Sequence, residues 1–267
     1  MRTFSYLRCE RCALVRIAEF PADLARYYTD DYYAIPTLGR LREIARSEAY
    51  QLRLLLPHAH QGRLVEIGPA WGQFAWQAKE AGFDVTCIEM DTRCCAYLRD
   101  IVGVTAHESA APEQTLASLP RQDAIVMWQV LEHLHDPWRC LEAVAMNLTP
   151  GGALLVATPS PQALSLRLMG AAWPHLDAPR HLWLIPFDVL ARAAARHGLE
   201  LAAVHFNDRG ALRWGLFSWQ RLFMNAVPAR FQRVAYAAGT AVGAALLPLE
   251  LTRRRASSYT AIFRRPR

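Results

Sequence analysis

The stretch RLVEIGPAWGQFAWQAKEAGFDVTCIEMD, residues 63–91, constrains the fold of this chain more than any other. An apolar run breaks at Gly68-Pro69-Ala70-Trp71-Gly72, helical periodicity follows, and a second apolar run ends on Glu89. Strand, glycine turn, helix and strand in that order form a parallel βαβ unit, because two parallel strands need a crossover between them. The loop departs from the dinucleotide pattern G-x-G-x-x-G, so it raises the question of what it holds.

The rest of the chain repeats the alternation. Further strands are expected at 102–106, 123–128, 152–158, 199–206 and 257–265, beside those at 63–67 and 84–89. Helical spacing marks 41–56, 72–81, 91–100, 137–147 and 187–197. The expected fold is α/β, a Rossmann-like seven-stranded and mostly parallel sheet with helices on both faces. The run SSYTAIFRR at 257–265 is the antiparallel terminal strand, returning beside 199–206. Four parts are read along the chain: an N-terminal segment 1–40, the α/β domain 41–206, an apolar helical insertion 207–256, and the terminal strand with a basic tail, 257–267.

At 267 residues and 52% hydrophobic content, such a domain buries a full core without disulfides. The six cysteines include the adjacent pair Cys94 and Cys95, a poor disulfide framework that fits reduced thiols in the cytoplasm. The start of the chain shows no signal peptide. Net charge is +6, and six arginines after residue 252 account for all of it. No basic stripe runs over the body of the chain, which argues against nucleic acid as a partner.

Glycine at 68 lets the chain turn sharply out of its strand, and Gly72 permits close backbone approach where the helix begins. Amides at that helix start favour an anionic group. Glu89, at the end of the next strand, is placed to accept hydrogen bonds from both hydroxyls of a ribose. A nucleoside with a carboxylate or phosphate is therefore the expected ligand class.

Several segments in order resemble the class I S-adenosylmethionine-dependent methyltransferases: VEIGPAWGQF, VTCIEMD, and then DAIVMWQVLEHLHDPWRCLEAVAMNLTPGGALLVATPSP at 123–161. The segment APRHLWLIPFDVLARAAARHGLELAAVHF, 178–206, is similar to the subgroup around the ubiquinone-biosynthesis O-methyltransferases. The likeness spans about residues 60–206 and the terminal strand. It implies S-adenosylmethionine as cofactor, its carboxylate near Gly68, Pro69, Ala70 and Gly72, and its ribose on Glu89. It further implies Glu66 near the methionine amine, Met90 against the adenine, and Trp128 and Gln129 closing the pocket. The family usually has glycine where Ala70 stands, so its methyl group crowds the ligand while Pro69 preorganises the turn.

Methyl transfer asks the protein to align a nucleophile and, for a hydroxyl, to take its proton. His133 and His181 are the candidate bases, since histidine titrates near neutrality. His181 is preferred because its loop follows the fifth strand of the α/β domain, at the carboxyl edge of the sheet. Related O-methyltransferases can carry E-x-x-E-H and bind a divalent metal. Here Gln129 replaces the first acid beside Glu132 and His133, and no metal is expected. LRCERCALV resembles half of a zinc ribbon, but Cys9 and Cys12 alone cannot fill a tetrahedral site and read as a vestige. Tyr28, Tyr32 and Tyr33 are candidates for a lid or for packing against the leading helix.

The insertion is strongly apolar, with Trp214, Phe217, Trp219 and Phe223 ahead of an arginine cluster. It reads as a helical subdomain closing the substrate pocket or as a dimer contact. The alternative is an interfacial segment on anionic lipid at the inner face of the membrane. The acceptor is expected to be a small or lipid-linked metabolite, methylated on oxygen. Two rival readings are a nicotinamide-dependent oxidoreductase, which lacks its third loop glycine here, and a non-catalytic S-adenosylmethionine-binding module.

Overall fold

In the computed structural model, which describes residues 3–29, 34–251 and 254–267, a hairpin of β1 (Tyr6–Arg8) and β2 (Val15–Ile17) precedes the α/β body. Cys9 and Cys12 lie in the turn between them as free thiols. The leading helix is broken into α1 (Leu38–Ser47) and α2 (Tyr50–Leu55), whereas sequence periodicity gave one helix over 41–56. The alternation then runs β3 (Gly62–Ile67), α3 (Gln73–Glu80), β4 (Phe83–Glu89), α4 (Thr92–Tyr97), β5 (Thr105–Glu108), α5 (Pro112–Ser118), β6 (Gln122–Trp128). It continues with α6 (Pro137–Asn147), β7 (Leu148–Pro159), α7 (Leu164–Met169), β8 (Trp183–Leu184), α8 (Phe187–Arg196) and β9 (Glu200–His205). Two long helices, α9 (Arg209–Asn225) and α10 (Gln232–Glu250), precede β10 (Ser258–Arg264).

Seven strands form the main sheet in the order β5-β4-β3-β6-β7-β10-β9. The pairs β3·β4, β3·β6, β4·β5 and β6·β7 are parallel, and β10 runs antiparallel to both β7 and β9. The terminal strand thus lies beside 199–206 as expected, and also fills the gap between β9 and β7. A second small sheet, β1-β2-β8, attaches the N-terminal hairpin to the connection after α7. Sequence periodicity missed that sheet and α5. It also started β5 too early, because a π-helical turn over Leu98–Val102 prolongs α4 before Gly103 ends it.

The central strands are buried on both faces, as a crossover-covered sheet requires. Val65, Ile67, Ile125, Met127, Leu154, Val156 and Phe263 face α5, α6 and α8. Their neighbours Leu64, Ala124, Val126, Ala153, Leu155 and Ile262 face α1, α2 and α3. This two-sided packing leaves the carboxyl ends of β3, β4 and β6 as the open edge on which a site can form.

Candidate active site

Two glycines shape the loop after β3. Gly68 has φ 66°, and a Cβ there would lie 2.6 Å from Val130 Cγ2. Gly72 has φ 80°, and a Cβ there would lie 2.4 Å from Leu98 Cδ2. Between them Ala70 adopts φ 51°, a left-handed conformation that costs an L-residue about 1–2 kcal/mol. Gln129 at the end of β6 (φ 58°) and Asp177 (φ 38°) are also left-handed. Three of the five described non-glycine residues with positive φ therefore ring one edge of the sheet, where strain commonly marks a working site.

Glu89 organises this edge. Its Oε2 accepts from the Ala70 amide at 2.9 Å, and its Oε1 accepts from Met90 at 2.7 Å and Asp91 at 3.0 Å. Burial raises its pKa, and the three amides oppose that rise. Oε2 keeps a further lone pair for a ligand hydroxyl, whereas Oε1 already accepts two bonds. Glu66 is more deeply buried, and burial first, then Glu89, raises it to about 8 against a bond from the Ala75 amide. Its Oε2 has no partner.

A cavity of about 440 Å³ opens beside Glu89, lined by Gly68, Ala70, Met90, Trp128, Gln129, Tyr28 and His133 among others. A second of about 560 Å³ lies where Trp128 and Gln129 meet α1, α2 and α9, lined also by Gln51, Trp71, Arg213, Trp214 and Phe217. Trp128 Nε1 and Gln51 Oε1 are buried without partners. At the rim of this second cavity Arg213 pairs with the buried Glu48. Arg213, Glu48 and Gln51 were not foreseen as site residues, and nothing in their local sequence marks them. Trp214 and Phe217 were named only as aromatics of an insertion that could close the substrate pocket.

The candidate bases meet behind the first cavity. The rings of His133 and His181 are 4.6 Å apart between centroids. His133 lines the cavity, while His181 is 8% exposed and sits behind it. His133 Nδ1 lies 3.1 Å from the Arg180 carbonyl, which can only accept, so Nδ1 carries the proton and Nε2 the lone pair. The Tyr28 hydroxyl shares that Nδ1 at 2.9 Å. His181 Nδ1 donates to the His175 carbonyl at 2.8 Å by the same logic. His175 Nε2 in turn donates to the Trp214 carbonyl of α9 at 3.0 Å.

Burial holds all three imidazoles neutral, lowering His133 to about 3, His175 to about 4, and His181 below its ordinary value. Glu132 is fully buried and raised to about 8 by burial, with Oε2 accepting from Thr158 at 3.0 Å and Oε1 unpartnered. Glu132, His133 and His181 each offer a donor atom within 4.8 Å of the others, a spacing that suits a shared proton or a metal ion. Asp177 lies 3.9 Å from His181 Nε2. Burial would raise Asp177, but the Arg180 guanidinium, with Nε 2.9 Å from Oδ2, leads the groups that hold it below its ordinary value. Asp177 and Arg180 were missed, although Asp177 sits four residues before His181. Tyr32 and Tyr33 lie outside the described residues.

Residues 40–204 match the family described as "Methyltransferase domain". The chain belongs to that family. Among curated relatives, the ubiquinone biosynthesis O-methyltransferase of Cereibacter sphaeroides is 28% identical over 177 residues, 62% of this chain and 70% of that one. Among solved structures, a SAM-dependent methyltransferase from Archaeoglobus fulgidus superposes with a TM-score of 0.57 at 17% identity, covering 83% of this chain and 94% of that one. Phosphoethanolamine N-methyltransferase 2 of Haemonchus contortus, solved with S-adenosyl-L-methionine, gives a TM-score of 0.57 at 16% identity over 95% of this chain and 63% of that one. The fold is that of these solved methyltransferases, whose cofactor is S-adenosylmethionine.

The residues present fit that cofactor. The unpartnered Glu66 Oε2 suits an ammonium group, the half-exposed Met90 beside Glu89 suits a flat base, and the close approach of Gly68 to Val130 leaves no room for a side chain. The methyltransferase match ends before α9 and α10, which are this chain's addition to the matched region.

Proposed function

We propose that this methyltransferase methylates an oxygen of a small or lipid-linked metabolite. The observation that carries the reading is the pair of neutral histidines, His133 with its Nε2 lone pair at the cofactor cavity and His181 behind it with Nε2 facing Asp177. When bound, S-adenosylmethionine supplies a methyl group already activated on a sulfonium. The chain then has to orient and deprotonate. Glu89 takes the ribose hydroxyls, Glu66 the amine, Met90 the adenine, and the Gly68-Pro69-Ala70-Trp71-Gly72 loop the carboxylate. Trp128 and Gln129 line both cavities, and the acceptor lies in the larger one and passes them to bring its hydroxyl to His133 in the first. His133 accepts the hydroxyl proton at Nε2, and His181, backed by Asp177, stabilises the cation that forms.

The name of the Cereibacter relative supports oxygen as the atom methylated. The reaction is placed in the cytoplasm, at the inner face of the membrane where the acceptor is lipid-linked, and the enzyme acts alone or as a homodimer. Incubation with methyl-labelled S-adenosylmethionine and fractionated small-molecule and lipid extracts should yield an ether-linked methyl product. Label recovered only on nitrogen or sulfur would overturn the reading.

A second reading follows from the clustered donors of Glu132, His133 and His181, which could hold a divalent cation. Chelation would then abolish turnover and added magnesium restore it. Full activity in the chelator removes this reading.

A further inference from the structure

The inserted helices α9 and α10 differ in what they turn outward. Trp214 and Phe217 of α9 line the larger cavity and pack on the His175 ring at 5.1 and 5.7 Å. Trp219 is buried, and its Nε1 donates to Glu250 Oε1 at 2.9 Å. Trp219 is thus committed inward, while Trp214 and Phe217 are 36% and 38% exposed toward the cavity they line. Ala235, Gly239 and Gly243 form the buried stripe of α10, and a Cβ on Gly239 would lie 2.7 Å from the Trp219 carbonyl.

The opposite side of α10 is also apolar. Val234 is 71% exposed and Leu249 51%, and between them Ala237, Ala241, Ala244 and Ala245 are exposed as well. A helix on a protein surface in water ordinarily turns polar residues away from its buried stripe. This one presents an apolar strip about 22 Å long, at 1.5 Å of rise per residue. Charge around the strip is one-sided. Arg221, Arg230 and Arg233 are exposed near the start of α10 with no carboxylate partner among the described residues, while Arg254, just beyond its end, is exposed but pairs with Asp188 at 2.6 Å. The one acid of α10, Glu250, is buried against Trp219. Among the described residues no helix is long and apolar enough to cross a membrane.

We propose that α10 seats the enzyme on a bilayer surface rich in anionic lipid. Its Val234–Leu249 strip enters the interface, and the flanking arginines meet lipid phosphates. The three arginines at the start of α10 face no carboxylate, which distinguishes this occupant from a second copy of the chain, whose own α10 would bring the same arginines and only the buried Glu250. The proposed function enters only in the consequence: α9, on the inner side of the same pair, forms a wall of the acceptor cavity, so seating α10 brings that cavity to the lipid surface.

The test is co-sedimentation of the full chain with vesicles of phosphatidylglycerol and phosphatidylcholine, against phosphatidylcholine alone. The protein should pellet with the anionic vesicles at low salt, stay in solution with the neutral ones, and be released as salt shortens the screening length. Arg230→Ser with Arg233→Ser should weaken binding, each arginine counting for roughly fivefold in partitioning. Val234→Glu with Ala241→Glu, both at exposed positions, should abolish pelleting. The melting shift given by S-adenosylmethionine should be unchanged in both variants, showing that they are folded.

Intact protein left in the supernatant with anionic vesicles overturns the proposal, as does a Val234→Glu/Ala241→Glu variant that pellets like the parent. So does a dimer in vesicle-free solution that this variant dissolves, because a second copy then covers the strip. Vesicle binding needs no acceptor, so failure of the methylation assay leaves it standing, and failure to bind vesicles leaves the methylation assay intact.

Discussion

The two halves of the active site are made of different material. On the cofactor side, main chain does the holding: Ala70, Met90 and Asp91 donate amides to Glu89, and two left-handed glycines set the loop. On the acceptor side, side chains converge from Tyr28, His133, the 175–181 connection and α9. The first half closes within one βαβ unit, and the second requires segments nearly two hundred residues apart. A local half can be lost by one substitution that unties a loop, whereas a converged half can lose its chemistry and keep its shape.

The sharpest test of that division, and the largest effect, is on turnover. His133→Ala and His181→Ala should each lower the rate about 10²–10⁴-fold, with S-adenosylmethionine affinity close to that of the parent. His181→Asn keeps a donor for the His175 carbonyl and should recover melting temperature without recovering rate. Calorimetric titration of the cofactor into each variant checks the division. Cofactor binding lost with either histidine would show that the halves are one unit.

Glu89→Ala is the converse. It removes the ribose acceptor and leaves the amides of Ala70, Met90 and Asp91 without their carboxylate. Hydrogen bonds to a charged acceptor contribute about 1.5–3 kcal/mol each, so losing both ribose bonds should lower affinity by about two to four orders of magnitude, and the cofactor-induced melting shift should largely vanish. An undiminished shift would discard Glu89 as the ribose site.

Sequence and structure agree best on the local half for the same reason. The succession of strands along the chain, the loop at 68–72 and Glu89 are written in consecutive residues, and the periodicities that mark them are backbone properties. The terminal strand was legible in SSYTAIFRR, although its insertion between β7 and β9 was not, because strand order depends on tertiary packing. The contact of His175 with Trp214 could not be read, since nothing in either segment announces a partner 39 positions away. Counting acids after Asp208 would have shown the charge asymmetry of the insertion. Knowing that Trp214 lines a cavity while Val234 faces outward needed the packing of α9 on α10.

A smaller effect, on pH, sharpens the cofactor half. Glu66 is raised to about 8, so the stability gained by burying its protonated form is full below the ordinary carboxyl range and is lost as pH rises through about 8. An ammonium group beside it favours the ionised form. Binding of S-adenosylmethionine should therefore release a proton and tighten by up to about tenfold per unit between about pH 5.5 and 7.5. Glu66→Gln should flatten that slope. A slope unchanged in the variant would move the amine to another partner.

The smallest effect lies three residues from Gly72's neighbour Gln73, at Ala70, and tells steric from torsional demand in one loop. Ala70 holds φ 51° while its amide donates to Glu89. Glycine there would relieve about 1–2 kcal/mol of left-handed strain and lose about 0.4–1 kcal/mol through a freer unfolded chain. These terms nearly cancel, so Ala70→Gly should move the melting temperature by only a few degrees, upward, and should bind S-adenosylmethionine at least as well as the parent. Gly68→Ala differs in kind, because its new Cβ would meet Val130 at 2.6 Å and force that side chain or the loop to shift. Cofactor affinity should fall clearly in Gly68→Ala and hold in Ala70→Gly. If Ala70→Gly binds clearly more weakly, the alanine is stiffening the loop that Glu89 holds, and the methyl group that crowds the ligand is also what keeps its amide in place.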